Sequence, residues 1–431
     1  MTKHAMRAEG YSVKRHLAGL AGGLSLALAL TGCGKGSSSD SGGSDGKTIR
    51  FVAAKYDDDT QAYWTALIKD FEAANPGYRV NLEVVDWEQM DSKVKTYVQT
   101  KQEPDILNYN KFSDFARDDL VYKAQDVVSP KVLADFLPVF RQQAQYQGTQ
   151  YGLPLLSSAR LFFYNKDIFA KAGIAGPPST WAEVEADAKK IKRAGYIGLG
   201  LPLGAEEAQA EFQIWAMNNG GGWTDSSGKW TIDQQANVDT LTYLRKLTKE
   251  KVTQPNPEAT NRKDVFNEFA QGKIGMLNGA VFLRKGFIDP VDKKLNYGVE
   301  ALPSKDGSTH KTLGVQDYLV AFKKSDGPNK AAVKKFLDFF YQKENAAKFV
   351  STEGFLSVTK SAGAVLSSDS PNTAYYKPFV DALAAAEFAP ADDPAWAAVD
   401  GAVKQRIGTA VAGGDPAKVL GEIQKTAQKG D

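Results

Sequence analysis

From Thr48 onward, short extended runs alternate with stretches of helical period, and that alternation restricts the chain to folds that pack helices on a sheet. Thr48-Ile49-Arg50-Phe51-Val52-Ala53 reads as a strand. Residues 60–75 place Tyr63, Trp64, Leu67, Ile68 and Phe71 at helical spacing, and Pro76-Gly77 ends that run. Residues 79–85 alternate Val80, Leu82 and Val84 as a second strand. Residues 90–100 follow as a helix and Asp105-Ile106-Leu107 as a short buried strand. The order predicts an α/β chain with a largely parallel sheet. In such sheets ligands sit beyond the carboxyl ends of the strands. Tyr56-Asp57-Asp58-Asp59 and Asn108-Tyr109-Asn110 therefore fall on one candidate rim. They are equally ordinary turn chemistry, with Asp58 or Asp59 placed to cap the next helix.

The second half opens on an aromatic strand, residues 159–164. Helices are expected at 167–172, 181–194, 206–218, 233–251 and 261–271, with strands at 197–201 and 274–277. Pro177-Pro178-Ser179-Thr180 reads as a loop ending in an N-cap. Trp223 and Trp230 flank the turn Ser226-Ser227-Gly228-Lys229 and are expected on the exterior. The last third reads as mostly helical, at 329–341, 344–352, 375–386, 395–410 and 416–428.

Ahead of all this runs an apolar segment, residues 17–30, preceded by Lys14 and Arg15 and closed by Leu30-Thr31-Gly32-Cys33. A positive start, a short apolar run and small residues at the cut are the parts of a secretory signal peptide. The run is shorter than the roughly 20 residues that span a bilayer. Leu-Thr-Gly-Cys resembles the lipobox of bacterial lipoproteins, which implies acylation of Cys33 and an extracellular protein held at the cell membrane. The alternative is a lone cysteine in an ordinary signal sequence. Residues 34–46 contain Gly, Ser, Asp and Lys and no apolar side chain, so they read as a disordered tether with a reach of about 20 Å.

Losing residues 1–32 removes a net +3 and turns the formal +2 of the chain into about −1. A near-neutral chain has no electrostatic reason to seek nucleic acid. Of three histidines, His4 and His16 leave with the signal, so His310 remains in a turn-rich loop. With Cys33 as the lone cysteine, His/Cys metal sites, Cys-His nucleophile pairs and internal disulfides are excluded. No cofactor and no metal are expected. About 400 mature residues suggest two domains or lobes.

One ordered series of motifs carries a resemblance. It runs Pro104-Asp105-Ile106, Tyr151-Gly152-Leu153-Pro154, Leu161-Phe162-Phe163-Tyr164-Asn165-Lys166-Asp167, Ala172-Gly173-Ile174 and Thr180-Trp181. Gly272-Lys273-Ile274-Gly275-Met276, Asn278-Gly279, Gly354-Phe355-Leu356 and Pro394-Ala395-Trp396 complete it. Over about residues 48–428 the chain resembles the family 1 extracellular solute-binding proteins, the group that includes maltose-binding protein. The resemblance implies a two-lobe periplasmic-binding-protein-like α/β fold with interleaved lobes and a hinge of crossover segments. The divisions would be a signal peptide at 1–32, a tether at 33–46, a first lobe at 47–156 and 317–355, and a second lobe at 157–313 and 356–431. It also implies a monomer that binds a sugar or oligosaccharide between the lobes and hands it to the permease subunits of an ABC importer.

Sugars are bound by aromatic faces and planar polar groups. By position, the resemblance points to Tyr56, Asp57, Tyr109 and Asn110 on the first-lobe rim. It points to Ser158 and Arg160 at one crossover, Asp317 at the other, Glu207 and Asn278 in the second lobe, and Trp396 as a stacking face. Arg160 could equally be a structural ion-pair partner, and Trp396 could equally pack inside the fold. Where relatives carry an aromatic after Asn-Gly, this chain reads Ala280-Val281-Phe282, so Phe282 takes that role from one position along or the subsite is absent. The alternatives are a binder of glycerol phosphate, a polyamine or a peptide, or a secreted glycoside hydrolase. A phosphate ligand would want a cluster of cations, of which Arg160 and Arg284 are the candidates. A hydrolase would need carboxylates facing each other across the bond, and the adjacent Glu206-Glu207 cannot straddle a sugar.

Overall fold

The computed structural model describes residues 46–324, 329–367 and 370–430. The signal segment 1–32, Cys33 and tether residues 34–45 lie outside the described residues. Within them the strands are β1 Thr48–Lys55, β2 Arg79–Asp86, β3 Ile106–Tyr109, β4 Gln145–Tyr146, β5 Thr149–Gln150 and β6 Leu153–Asn165. They continue as β7 Ile197–Gly200, β8 Ile274–Ala280, β9 Tyr297–Glu300, β10 Thr312–Ala321 and β11 Ala386–Glu387. The main sheet has the order β2-β1-β3-β10-β6-β8-β7, with β11 beside β10 and β9 beside β6.

The ends of this sheet follow the expectation and its middle does not. β1 lies parallel to β2 and β3, and β7 parallel to β8. β10 runs antiparallel to β3 and β6, and β6 antiparallel to β8 and β9. The sheet is mixed rather than largely parallel because β6 carries the chain from the first group of strands to the second and β10 carries it back. Side by side, they must point in opposite directions. Leu153–Asn165 takes this central place with nearly all of its 13 residues buried, its apolar ends enclosing the polar stretch Ser157-Ser158-Ala159-Arg160. Residues 153–159 pair with β10 and residues 160–164 with β8, so Arg160 stands where β6 changes partner. The β6–β10 register shifts between Asp317 and Tyr318, where β6 carries the extra residue, Leu155, next to Pro154. Pro154 has no N–H to give the ladder, and a bulge re-aims the neighbouring side chain.

Helices cover both faces. The helix Thr60–Ala74 buries Trp64 edge-on against Phe51 at 4.8 Å and Phe71 against Phe336 at 5.1 Å. The expected N-cap at Thr180 is present as a capping box with Glu183 and opens Trp181–Arg193. The expected Asp cap of the first helix is absent. Asp59 has helical backbone angles and its side chain makes no cap bond. Instead the Thr60 hydroxyl oxygen accepts the N–H groups of Tyr56 and Asp57, at 3.0 and 3.2 Å. Trp223 and Trp230 are buried rather than exterior, packed on Trp396 at 5.5 and 6.4 Å.

Candidate functional site

The carboxyl end of β1, the start of the helix Trp87–Thr100, and the middles of β6 and β10 converge with the segment 206–209 and the helix Arg262–Ala270. They enclose a cavity of about 320 Å³. That lies at the lower end of the range for small-molecule pockets, roughly 300–1,000 Å³.

On one wall the Thr60 hydroxyl holds the turn after β1, and Tyr56 reaches across to donate a 2.7 Å hydrogen bond to Asp317. Burial pushes the Asp317 carboxyl up to about 6, against the Tyr56 hydrogen bond. On the opposite wall Glu207 lies between two guanidinium groups. Arg160 donates to it at 2.6 Å, and Arg262 donates to it and also to Glu206 at 2.9 Å. Burial would raise the Glu207 carboxyl, yet Arg160 and Arg262 hold it below the usual carboxylate range. Phe282 forms the floor beneath both cations, its ring centroid 5.6 Å from Arg160 and 5.2 Å from Arg262. Trp87, Phe287 and Phe355 supply further aromatic surface, and Trp87 packs 6.1 Å from Tyr56.

The site is distinguished by polar capacity that the protein does not use. Asn110 Oδ1, Ser158 Oγ, Arg160 Nη1, Gln209 Oε1 and Arg262 Nε are buried, lack a protein hydrogen-bond partner and belong to residues lining this cavity. An unsatisfied buried polar group costs about 1–3 kcal/mol. Five on residues that line one cavity leave polar capacity there that the protein itself does not consume.

Tyr56, Asp57, Asn110, Ser158, Arg160, Glu207, Phe282 and Asp317 are brought together in this lining. Tyr109 and Asn278 are not. The Tyr109 hydroxyl donates to Asp91 inside the fold, and Asn278 donates to buried Glu211 at 2.9 Å. Arg284 lies in a different cavity. Trp396 borders a side cavity of about 60 Å³ that shares Asn110, Glu207, Gln209 and Val315 with the main one, and it is only 3 % exposed. Trp87, Gln209, Arg262 and Lys404 line the site and escaped the sequence reading. Trp87 follows the carboxyl end of β2, so the strand-end rule that selected Tyr56 could have found it. No local signal marks Arg262, which enters through helix packing. His310 is an exposed loop residue whose Nδ1 lies 2.8 Å from the Leu302 carbonyl. Among the described residues no three His, Cys, Asp or Glu side chains converge as metal ligands, and no helix is long and apolar enough to cross a membrane.

The model of the family described as "bacterial extracellular solute-binding protein" matches residues 57–347. A putative binding protein of Brucella abortus is 34% identical over 352 residues, 81% of this chain and 82% of that one. Among solved structures, MalE3 of T. maritima with bound maltose superposes with a TM-score of 0.77 at 20% identity, over 89% of this chain and 99% of that one. UgpB of Mycobacterium tuberculosis in complex with glycerophosphocholine superposes at 0.72 and 22% identity, over 89% and 98%. At such identities the likeness speaks for the fold, which is the two-lobe, interleaved α/β arrangement expected above.

Proposed function

The chain belongs to the bacterial extracellular solute-binding proteins, the solute-capturing components of ABC importers, and we propose that its solute is a sugar or short oligosaccharide. The observation that carries this reading is the set of five unpartnered polar atoms beside aromatic faces in one cavity. Hydroxyls complete such atoms in both donor and acceptor senses, while Trp87 and Phe282 offer faces to C–H patches. Capture follows from lobe closure. With a first lobe at 47–156 and 317–355 and a second at 157–313 and 356–431, Tyr56 and Asp317 face Arg160, Glu207 and Arg262 across the cleft. A solute touching both sets favours the closed form by its differential affinity for it. Acylation at Cys33 would hold this receptor at the membrane beside its permease. Cys33→Ala should then abolish partitioning into the detergent phase, and unchanged partitioning would refute the anchor.

A second reading, a glycerol-phosphate-type solute, is favoured by the neighbouring guanidinium groups of Arg160 and Arg262, with free Nη1 and Nε positions. Against it, Glu206 and Glu207 already neutralise both cations. A thermal-shift screen against mono- and oligosaccharides and sn-glycerol 3-phosphate decides. A ligand at 100 times its dissociation constant adds about 2.7 kcal/mol of stability. A shift with the phosphate and none with any sugar would overturn the first reading. Sugar released from an oligosaccharide would overturn both.

A further inference from the structure

A second cavity, of about 710 Å³, adjoins the five-atom site and shares Phe355 with it. It is bounded by the π-helical turn Arg284–Ile288, the chain around 355–360, and the helices Lys360–Ser367 and Ser370–Ala382. Leu137, Phe140, Leu356, Leu366, Val380 and Leu383 form its apolar walls. Among the described residues the exposed large hydrophobic side chains are Val139, Val291, Val365 and Val380. Val380 is itself a wall, and the other three stand one or two positions along the chain from lining residues. A single exposed valine is ordinary. Val380, exposed on the wall of an apolar cavity of this size, marks a surface open to an apolar partner.

The rim says what else that partner carries. Arg284, Lys285, Lys360 and Lys377 line the cavity against the single carboxylate of Asp289. Lys285 also meets Asp57 and Asp59, and Lys377 meets Asp381. The exposed Lys360 donates to a carbonyl, Ala134 O, at 3.1 Å and is in no ion pair within 4 Å among the described residues, although the Asp135 carboxylate, bound by Ser361, stands nearby. The volume falls within the range of small-molecule pockets. We propose that this cavity is a second ligand site, for a free amphiphile with an apolar chain and one carboxylate. The chain lies against Leu366, Val380 and Leu383, and the carboxylate meets Lys360.

The test uses laurate, below its micelle concentration, to displace 1-anilinonaphthalene-8-sulfonate from the full chain. Laurate should compete, and dodecyltrimethylammonium should not. Val380→Asp, which puts a carboxylate on an exposed wall position, should weaken laurate roughly tenfold or more. Lys360→Glu should weaken it several-fold. Trp87→Ala, in the solute cavity, should leave it unchanged. Both rim positions are exposed, so unchanged melting temperatures are expected, and either variant alone carries the test. Equal competition by the cationic amphiphile overturns the assignment, as does laurate binding insensitive to Val380→Asp and Lys360→Glu. Self-association lost in Val380→Asp would make a second copy of the chain the occupant. Binding to anionic vesicles lost in that variant, without laurate competition, would make it a membrane. Either result overturns the proposal.

Discussion

Two clusters of buried charge meet at Lys404, and they are built on opposite terms. In the first, Lys111 contacts Asp91 at 2.8 Å and Asp400 at 2.5 Å, while Lys404 contacts Asp91 at 2.8 Å and Asp400 at 3.3 Å. Tyr109 donates to Asp91 as well. Two ammonium groups and two carboxylates close on one another. In the second, Arg160, Arg262, Glu206 and Glu207 also pair, yet guanidinium nitrogens and neighbouring amide and hydroxyl oxygens remain uncommitted. Burial of charge is common to both. What separates a clasp from a receptor is whether the hydrogen-bonding capacity has been consumed within the protein.

The largest expected effect breaks the clasp. Lys111→Met leaves two carboxylates, Asp91 and the 1 % accessible Asp400, to share the single cation of Lys404. Removing one partner of a buried pair costs about 3–5 kcal/mol. Denaturant unfolding of the ligand-free protein measures it, and a loss below about 1 kcal/mol would mean that the cluster does not close on itself.

The pH dependence comes next. Burial raises both Asp317 and Asp91, but Lys111 and Lys404 overcome it at Asp91 and hold that carboxyl well below the usual range. Asp317, raised to about 6, binds its proton more tightly when folded than when unfolded. Its contribution to stability is therefore complete below the unfolded value near 4 and is lost as pH climbs through about 6. Glu211, raised to about 7, and Glu353, raised to about 8, act in the same sense from the unfolded carboxylate range upward, burial being the main cause at each. Stability measured from pH 4 to 6 should fall, and Asp317→Asn should reduce that fall by on the order of 2 kcal/mol. An unchanged slope in the variant would place the titration elsewhere.

The smallest effect belongs to the receptive cluster. Trp87→Ala should weaken solute binding by about 1–3 kcal/mol, roughly tenfold to a hundredfold in dissociation constant, with little change in ligand-free stability. Trp396→Ala sharpens the contrast, because its ring is enclosed by Trp223 and Trp230. There the loss should fall on stability, by about 3–5 kcal/mol. Calorimetric titration and unfolding of the two variants together test the assignment, which fails if their roles are reversed.

Elements whose signal is local were legible in the chain. Thr60–Ala74 forms where the spacing of Tyr63, Trp64, Leu67, Ile68 and Phe71 calls for a helix, and Trp181–Arg193 begins at the cap that Thr180 and Glu183 make possible. β10 was legible only as the crossover that the family resemblance placed at Asp317, without its strand, since residues 312–321 mix Thr, Gly, Gln and Asp with the apolar positions. The short helices from Ser113–Arg117 to Pro138–Gln143 were missed because each is too brief to show a period. At the site, strand ends and crossovers located Tyr56, Arg160 and Asp317 near one another.

The sequence by itself determined the α/β alternation and the exclusion of histidine and cysteine chemistry, because composition and short-range spacing act along the chain, and its ordered motifs carried the resemblance to the family. Only the tertiary structure decided which polar atoms are consumed. Tyr109 and Asn110 are neighbours in sequence, yet the first spends its hydroxyl on Asp91, while the amide oxygen of the second is left for the cavity. That outcome depends on partners such as Asp91, Arg262 and Asp400, which come from distant helices. Hydrogen bonds form between groups that packing brings within about 3 Å, and separation along the chain does not report that distance.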